Sequence, residues 1–348
     1  MLNIRKYNIF FLSLISLFVF LSYLNVFSGE FVFDDATAIE DNLTIKDFRY
    51  FKDLGLISYL RDAVNGARPV TNFTFAINYL IGGFNPFNYH LFNFLVHLAN
   101  SFIVYIIIYK TLKLSSPHYK EDAHWISFLT TIFFSLHPIQ TGAVSYISQR
   151  AEILSSFFYL LGLLAFIRGL CDTSLKGYLS YAAGIMCFLL GLGAKDIIIT
   201  LPFILLIYWF YFLRDLSDRK VQIIKILLLI IPVLTMAVYR ISTISDTGIG
   251  FNLEFGPYEY LLTQFRAITK YISLLFLPLN QNADYDFVIS KGFFNPASTF
   301  LSFVFLLFLV AMAILLYKRW KIGSFALLWF FVILSPTSSF IPIIDVIF

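Results

Sequence analysis

The chain alternates between long apolar segments and short polar connections. The first apolar segment covers residues 8–27. Further apolar segments lie at about 88–109, 123–136, 150–167, 178–193, 197–213, 221–239, 297–317 and 320–335, with a less clean one at 259–279. A helix of roughly 20 apolar residues spans the hydrocarbon core of a bilayer, and helices satisfy their backbone polar groups internally. The pattern predicts an all-α polytopic membrane protein with about 9–11 spans.

Two connections are long enough to carry structure of their own. Residues 28–87 separate the first two spans and mix apolar with charged positions, including an amphipathic piece at 70–81. An amphipathic helix lies in the membrane interface, so we expect this loop to fold against the membrane surface. Residues 240–296 form the second long region, and the rest of 1–348 is predicted to be one transmembrane domain.

Positive charge predicts the orientation, because Lys and Arg concentrate on the cytoplasmic side. The clusters at alternate ends of the spans are Arg5/Lys6, Lys110/Lys113/Lys120, Arg168/Lys176, Arg214/Arg219/Lys220 and Lys318/Arg319/Lys321. This places 28–87, 137–149, 194–196 and 336–348 outside. Three apolar segments lie between Lys220 and Lys318, but an even number of crossings must separate these two cytoplasmic residues. We therefore expect that 259–279 does not cross, and the position of Arg266 and Lys270 on one helical face of this segment agrees with that. We therefore expect 240–296 to be a second outer region.

Composition supports a membrane protein and removes several other classes. The chain of 348 residues is 59% hydrophobic and only 13% charged, so lipid must cover much of its surface. Its net charge of +4 follows from topology and does not indicate a nucleic-acid partner. No Walker, HExxH, GxSxG or CxxC pattern is present. The two cysteines, Cys171 and Cys187, are expected to be unpaired.

The first candidate for chemistry is the acidic pair Asp34-Asp35, directly after the first span. Adjacent carboxylates repel, so one pKa should rise unless a cation or a metal intervenes. Such a pair suits a general base that accepts a proton from a hydroxyl, and it also suits a divalent metal. The alternative is an ordinary polar loop start or a helix cap.

Polar residues on the second span and on the outer hairpin that follows form further candidates. His90, Asn93, His97 and Asn100 follow helical spacing along one face of the second span, where they could line a cavity or hold helices together. His90 lies at the outer end and is the better site candidate. His137 and Arg150 belong to the next outer hairpin. Arg150 could hold a phosphate, or Arg150 and Glu152 could pair with one another or with other residues.

Further charges fall on the same predicted side. They are Arg68 in the first loop, Lys195-Asp196 between two spans, and Arg266 in the second outer region. Lys195 and Asp196 could neutralise each other, and Arg266 could contact lipid headgroups. An acidic pair surrounded by cations at an outer membrane face favours an anionic, lipid-linked substrate.

Ordered sequence blocks make the chain similar to a known family. The blocks are Phe31-Val32-Phe33-Asp34-Asp35, Arg68-Pro69-Val70-Thr71, Asn85 to Asn93, His137 to Thr141, Gln149 to Glu152, Ala194-Lys195-Asp196, Phe265-Arg266 to Pro278, and Asp284-Tyr285-Asp286. Together they resemble the membrane half of the transmembrane O-mannosyltransferases with tetratricopeptide repeats. The resemblance covers nearly the whole chain, and its prokaryotic members are most similar.

The resemblance implies a GT-C glycosyltransferase fold, a helical bundle with a large first extracytoplasmic loop. Such enzymes move a sugar from a polyprenyl-phosphate carrier to a hydroxyl and invert the anomeric centre; mannose is one candidate, and the sequence does not identify the sugar. The acceptor would be a Ser or Thr of a secreted or membrane protein. The essential acidic residues of the family correspond to Asp34 and Asp35. The implied location is a bacterial inner membrane, or the ER membrane in a eukaryotic cell.

Two departures from the family limit these expectations. Many relatives have Glu at the positions of Gly142 and Asp196, so roles that rest on Glu do not carry over. The C-terminal repeat domain is absent or truncated, so the chain is expected to be a shorter relative or a fragment, which could be inactive.

The expected mechanism uses Asp34 or Asp35 as the base. The leaving phosphate is stabilised by cations drawn from Arg68, Arg150, Lys195 and Arg266, with Arg266 and Arg150 preferred. The alternatives are a transporter or flippase, a ligase acting on polymers or lipid-linked glycans, and a non-catalytic membrane partner. No cofactor is required, although a divalent metal on the acidic pair stays open.

Overall fold

The computed structural model describes residues 2–216, 218–247, 256–282, 285 and 287–338. Among these residues the regular structure is helical, and none belongs to a β-sheet. The α-helices are α1 (Leu2–Ser22), α2 (Leu43–Lys46), α3 (Arg49–Lys52), α4 (Leu56–Val64), α5 (Pro69–Gly82), α6 (Pro86–Ser115), α7 (Ala123–Leu136), α8 (Gln140–Ser145), α9 (Arg150–Cys171), α10 (Leu175–Leu192), α11 (Leu201–Tyr208), α12 (Arg219–Thr247), α13 (Pro257–Phe276), α14 (Ala297–Leu316) and α15 (Lys321–Leu334).

Several helices have the length and composition of membrane spans. Five long apolar segments qualify: Pro86–Ser115, Ile147–Cys171, Leu175–Leu192, Asp196–Leu213 and Ala297–Leu316. Shorter apolar helices cover Tyr7–Ser22, Ala123–Leu136 and Lys321–Leu334. The prediction of an all-α polytopic membrane protein is thereby confirmed. The total of about 9–11 spans stays a prediction, because length and composition alone do not fix which helices cross.

The chain divides into two compact units. The first comprises Met1–Leu201 and Phe212–Ile223, and the second comprises Pro202–Tyr211 and Ile224–Phe348. Both lie within the range predicted to be one transmembrane domain.

Helices α9 and α10 form a closely packed hairpin in the first unit, and glycines allow this approach. A Cβ atom on Gly184 would lie 2.6 Å from the Phe166 ring, and one on Gly169 would lie 2.8 Å from the backbone nitrogen of Tyr181. Small residues at such crossings let membrane helices pack tightly by van der Waals contact. The hairpin provides a rigid support for the connections at its ends.

A second group of helices in the first unit surrounds an aromatic cluster. Helix α6 packs against α7 and α9, and α1 packs against α7. Phe11, Phe94, Tyr105 and Phe128 are buried between them. Aromatic rings bury large apolar areas, which stabilises this group of helices.

The long first connection is folded into short helices. Helices α2 to α5 lie between residues 43 and 82, and α5 covers the amphipathic piece predicted at 70–81. A separate cluster of buried side chains joins this connection to the start of α6 and to the α8–α9 connection; it contains Ile39, Ile45, Phe75, Ala76, Tyr89 and Ile147. This cluster positions the acidic pair.

The second unit contains α13, α14 and α15. Helix α13 covers the weak apolar segment predicted at 259–279. Its Thr263 hydroxyl accepts the backbone N–H of Ser290 at 2.9 Å, and the Ser290 hydroxyl lies 2.9 Å from that of Thr299 on α14. Asp284 and Asp286, which belong to the last of the predicted sequence blocks, lie outside the described residues. Asp345, near residue 348, lies outside them as well.

Candidate functional site

Asp35 is fully buried, with 0% of its surface exposed. Its Oδ2 accepts the backbone N–H of Val32 at 3.0 Å, and its Oδ1 accepts the backbone N–H of Ser148 at 2.7 Å. Burial raises the pKa of Asp35, these hydrogen bonds oppose the rise, and repulsion from Asp34 adds to it. Since Ser148 precedes α9, Asp35 ties the first connection to the α8–α9 connection.

Asp34 has the opposite surroundings, because its side chain is exposed. Its backbone N–H donates to the Tyr146 hydroxyl at 2.9 Å. The preceding residue, Phe33, has a left-handed φ of 49° and packs its ring edge-to-face on Tyr146 at 6.2 Å between centroids. Of the two carboxylates, Asp34 is therefore the one that a substrate can reach in this structure.

Arg150, the first residue of α9, is a buried hub with 0% exposure. Its Nε donates to Asn93 Oδ1 at 2.8 Å, its Nη1 to Asn78 Oδ1 at 2.6 Å, and its Nη2 to the Tyr89 carbonyl at 3.0 Å. The guanidinium also lies 4.3 Å and 4.4 Å from the ring centroids of Phe75 and Phe92. Arg150 thus joins α5, α6 and α9.

This arrangement of Arg150 agrees with one of the sequence-based alternatives, in which Arg150 and Glu152 each bind other residues. Its donors face protein oxygens rather than an open surface, so in this structure the side chain does not reach a phosphate. It also does not pair with Glu152, because Glu152 forms an ion pair with Lys195. The pair of Glu152 and Lys195 joins the start of α9 to the turn after α10, and Asp196 begins a short 3-10 helix.

Arg68 lies at the beginning of α5 in a left-handed conformation with φ 51°. Its side chain is exposed, and none of the ion pairs between described residues includes it. The next residues attach α5 to the end of α10: the Val70 N–H donates to the Gly193 carbonyl at 2.9 Å, and the Thr71 hydroxyl donates to the Ala194 carbonyl at 3.3 Å. Arg68 is therefore an accessible cation near the Lys195 turn.

The polar stripe on α6 mainly holds helices together. His97 Nε2 lies 3.0 Å from the Ser135 carbonyl, and Asn100 Nδ2 donates to the Ile153 carbonyl at 2.9 Å. His90 is buried, and neither of its ring nitrogens has a well-formed hydrogen bond with a described residue. Its ring lies so close to Gly29 that a Cβ there would be 2.8 Å from Nε2.

Two further expected residues, His137 and Arg266, have partners of their own among the described residues. His137 ends α7, where its Nδ1 accepts the backbone N–H of Ile139 at 3.2 Å. Arg266 belongs to the second unit, where Nη1 donates to the Val288 carbonyl at 2.7 Å and the guanidinium lies 4.7 Å from the Phe287 ring centroid. Arg266 is thus held against the segment that follows α13.

A continuous series of contacts joins five of the predicted sequence blocks in the first unit. Asp35 binds Ser148, Arg150 binds α5 and α6, Glu152 binds Lys195, and the Lys195 turn binds the start of α5. The blocks at 31–35, 68–71, 85–93, 149–152 and 194–196 therefore meet at one end of this unit. These blocks carry an exposed carboxylate at Asp34, an exposed guanidinium at Arg68 and a lysine, Lys195, that is paired with Glu152.

Sequence reasoning missed Tyr146 and Asn78. Asn78 had a signal, since an amide on the apolar face of the piece 70–81 must find a partner when that face is buried. Tyr146 had none, because its contact with Asp34 joins positions 112 residues apart. Among the described residues, no group of three or more His, Cys, Asp or Glu side chains could hold a metal ion.

The chain can also be compared with known proteins by sequence. The chain is 33% identical to protein O-mannosyl-transferase TMTC2 of Mus musculus over 162 residues, which is 45% of this chain and 18% of that protein. It is 34% identical to TMTC3 of Homo sapiens over 150 residues, covering 41% of this chain and 15% of the relative. This chain resembles protein O-mannosyl-transferases. The predicted resemblance is confirmed, although these matches cover 45% and 41% of the chain rather than nearly all of it.

The similarity to the O-mannosyl-transferases extends beyond vertebrates and is partial. A Drosophila melanogaster protein O-mannosyl-transferase, Tmtc3, is 28% identical over 210 residues, or 53% of this chain and 22% of the relative. The matched region thus spans about a fifth of the length of these relatives. No protein-family model matches the chain, and no solved structure matches it.

Proposed function

We propose that this chain transfers mannose from a polyprenyl-phosphate carrier to a Ser or Thr hydroxyl of a protein, with inversion at the anomeric carbon. The observation that carries the proposal is the exposed Asp34 carboxylate at the junction of the sequence blocks. The names of the relatives supply the reaction class. The fold has no strand among its described residues, and its apolar helices suit a lipid-linked donor.

In the proposed reaction, Asp34 is the general base. The acceptor oxygen attacks C1 of the sugar, and its proton passes to the Asp34 carboxylate. The bond between C1 and the phosphate oxygen breaks, and its electron pair leaves with the phosphate. A positioned base typically contributes about 10²–10⁴-fold to the rate. Attack opposite to the leaving group yields the inverted anomer.

Asp35 has a different role in this proposal. Both of its oxygens accept backbone N–H groups, and no surface is exposed. A carboxylate so enclosed cannot meet an acceptor hydroxyl without leaving its partners. Asp35 instead holds the turn that presents Asp34, which makes it a positioning residue.

The leaving phosphate needs positive charge, and Arg68 is the residue best suited to provide it. Its guanidinium is exposed and forms no ion pair with a described residue, so its donors are available. An arginine binds phosphate through two parallel N–H donors. Lys195 is shared with Glu152 and would add charge nearby. The sequence-based choice of Arg266 stays a prediction for the second unit.

The site would lie at the outer face of a bacterial inner membrane, or at the luminal face if the cell is eukaryotic. This location follows from the Lys and Arg distribution, which places residues 28–87 outside. Lipid-linked donors and secreted or membrane protein acceptors meet at that face.

A transfer assay tests the proposed function. Membranes that contain the chain are incubated with radiolabelled polyprenyl-phosphate mannose, and the products are separated into protein, glycan and lipid. The proposal predicts label on protein that β-elimination releases, as expected for a bond to Ser or Thr. Label found only in a polymeric glycan would favour a ligase instead. A donor that crosses the membrane without forming product would favour a transporter.

A further inference from the structure

Tyr146 and Ser148, two residues of one short segment, hold the acidic pair. Tyr146 follows α8 in an extended conformation and precedes the 3-10 turn Ile147–Gln149. The Tyr146 hydroxyl accepts the backbone N–H of Asp34 at 2.9 Å, and two residues later the Ser148 N–H donates to Asp35 at 2.7 Å. One short segment therefore attaches both aspartates.

The Tyr146 hydroxyl has a proton left to donate. A phenol that accepts an N–H still carries its own O–H. Burial raises the pKa of Tyr146, and the neighbouring Asp34 carboxylate adds to the rise, so the phenol stays protonated near neutral pH. The Tyr146 hydroxyl is thus a neutral hydrogen-bond donor beside the Asp34 carboxylate.

The backbone before Asp34 is strained in a way that this contact explains. Phe33 adopts a φ of 49°, which is unfavourable for an aromatic residue, and 76% of its surface stays exposed. Little burial offsets this strain. Such conformations persist where surrounding contacts impose them, often at functional sites. Here the Tyr146 hydroxyl and ring contact both Asp34 and Phe33.

We infer that Tyr146 is a positioning residue for sugar transfer, whose hydroxyl fixes the direction of Asp34 and hydrogen-bonds its carboxylate during proton acceptance. This inference rests on the proposed function. A purely structural tyrosine would contribute through its ring, which packs against Phe33. The two roles differ in the hydroxyl alone.

The test compares Tyr146→Phe with Tyr59→Phe. Tyr59 is the control, because its hydroxyl likewise bonds to a distant backbone group, in this case by donating to the Leu189 carbonyl at 2.6 Å, and it has no described contact with the acidic pair. Tyr146→Phe is expected to lower kcat about 10-fold with the KM for the polyprenyl-phosphate donor unchanged. Tyr59→Phe is expected to leave both constants near those of the wild type. An unchanged kcat in Tyr146→Phe overturns the inference, as does an equal loss in both variants.

A double-mutant cycle tests whether Tyr146 acts through Asp34. Asp34→Glu is chosen as the background because it keeps a carboxylate and is therefore expected to retain part of the activity. Residues that act together give losses that do not multiply. Tyr146→Phe should therefore cost less in the Asp34→Glu background than in the wild type, and equal costs contradict the inference.

The outcomes separate the two proposals. If the wild type transfers sugar and Asp34→Asn does not, while Tyr146→Phe is fully active, only the inference about Tyr146 fails. If the wild type does not label protein, or if Asp34→Asn is fully active, the proposed function fails and the inference fails with it.

Discussion

Asp34 and Asp35 are neighbours in the sequence, yet the fold gives them opposite environments. Asp35 points inward to two backbone N–H groups, and Asp34 points outward beside Tyr146. The sequence predicted that repulsion would raise one pKa. The rise falls on Asp35, where burial is the larger cause and repulsion from Asp34 the smaller one.

The raised pKa of Asp35 predicts how stability depends on pH. A carboxyl whose folded pKa lies above its ordinary value of 3.8 holds its proton more tightly in the folded state. The folded state then binds more protons than the unfolded state, so stability falls as pH rises from that value through the folded pKa. The substitution Asp35→Asn replaces the carboxyl with an amide that does not titrate, so it removes this contribution to the pH dependence of stability.

Thermal unfolding in detergent checks this prediction. From about pH 4 to pH 7, the unfolding temperature of the wild type should fall relative to that of Asp35→Asn. The variant keeps one carbonyl oxygen for the Ser148 N–H, so its fold is expected to persist. Parallel pH profiles for the two proteins would show that Asp35 does not titrate in this way.

At the scale of elements, Arg150 fastens α5, α6 and α9 to one another. Arg150→Ala would leave the buried oxygens of Asn78, Asn93 and Tyr89 without their donors. Each buried unsatisfied polar group costs about 1–3 kcal/mol, so the total loss of stability should reach about 3 kcal/mol or more. We expect a markedly lower unfolding temperature in detergent.

Arg68→Ala is the matched comparison for Arg150→Ala. The Arg68 side chain is exposed and makes no ion pair with a described residue, so its removal should leave the unfolding temperature unchanged. Its proposed phosphate contact predicts a higher KM for the polyprenyl-phosphate donor. Equal thermal effects of the two variants would contradict the roles assigned to these arginines.

Helix positions could be predicted from sequence more fully than the site. The segment predicted at 88–109 lies within α6, and its beginning at Pro86 agrees with the preference for Pro in a first helical turn. The inward direction of Asp35 could not be predicted, because its partner Ser148 lies 113 residues away. Likewise the burial of Arg150 depends on Asn78 and Asn93, which come from two other helices.

At the scale of the whole molecule, the central prediction is the orientation in the membrane. Single cysteines are placed at exposed positions in a background without Cys171 and Cys187. A membrane-impermeant maleimide should label Asp41→Cys and Lys291→Cys in intact cells, because 28–87 and 240–296 are predicted to be outside. Lys176→Cys should react only after permeabilisation. Labelling of Lys291→Cys only after permeabilisation would mean that the segment 259–279 crosses the membrane.

The measurement that tests the account most directly is sugar transfer by Asp34→Asn. Asp41→Asn is its control, since Asp41 is another exposed carboxylate of the same connection. Both proteins are assayed with radiolabelled polyprenyl-phosphate mannose at matched amounts in the membrane. We predict that Asp34→Asn loses about 10²–10⁴-fold in the rate of protein labelling, while Asp41→Asn stays near the wild type. Labelling by Asp34→Asn at the wild-type rate would contradict the assignment of Asp34 as the base.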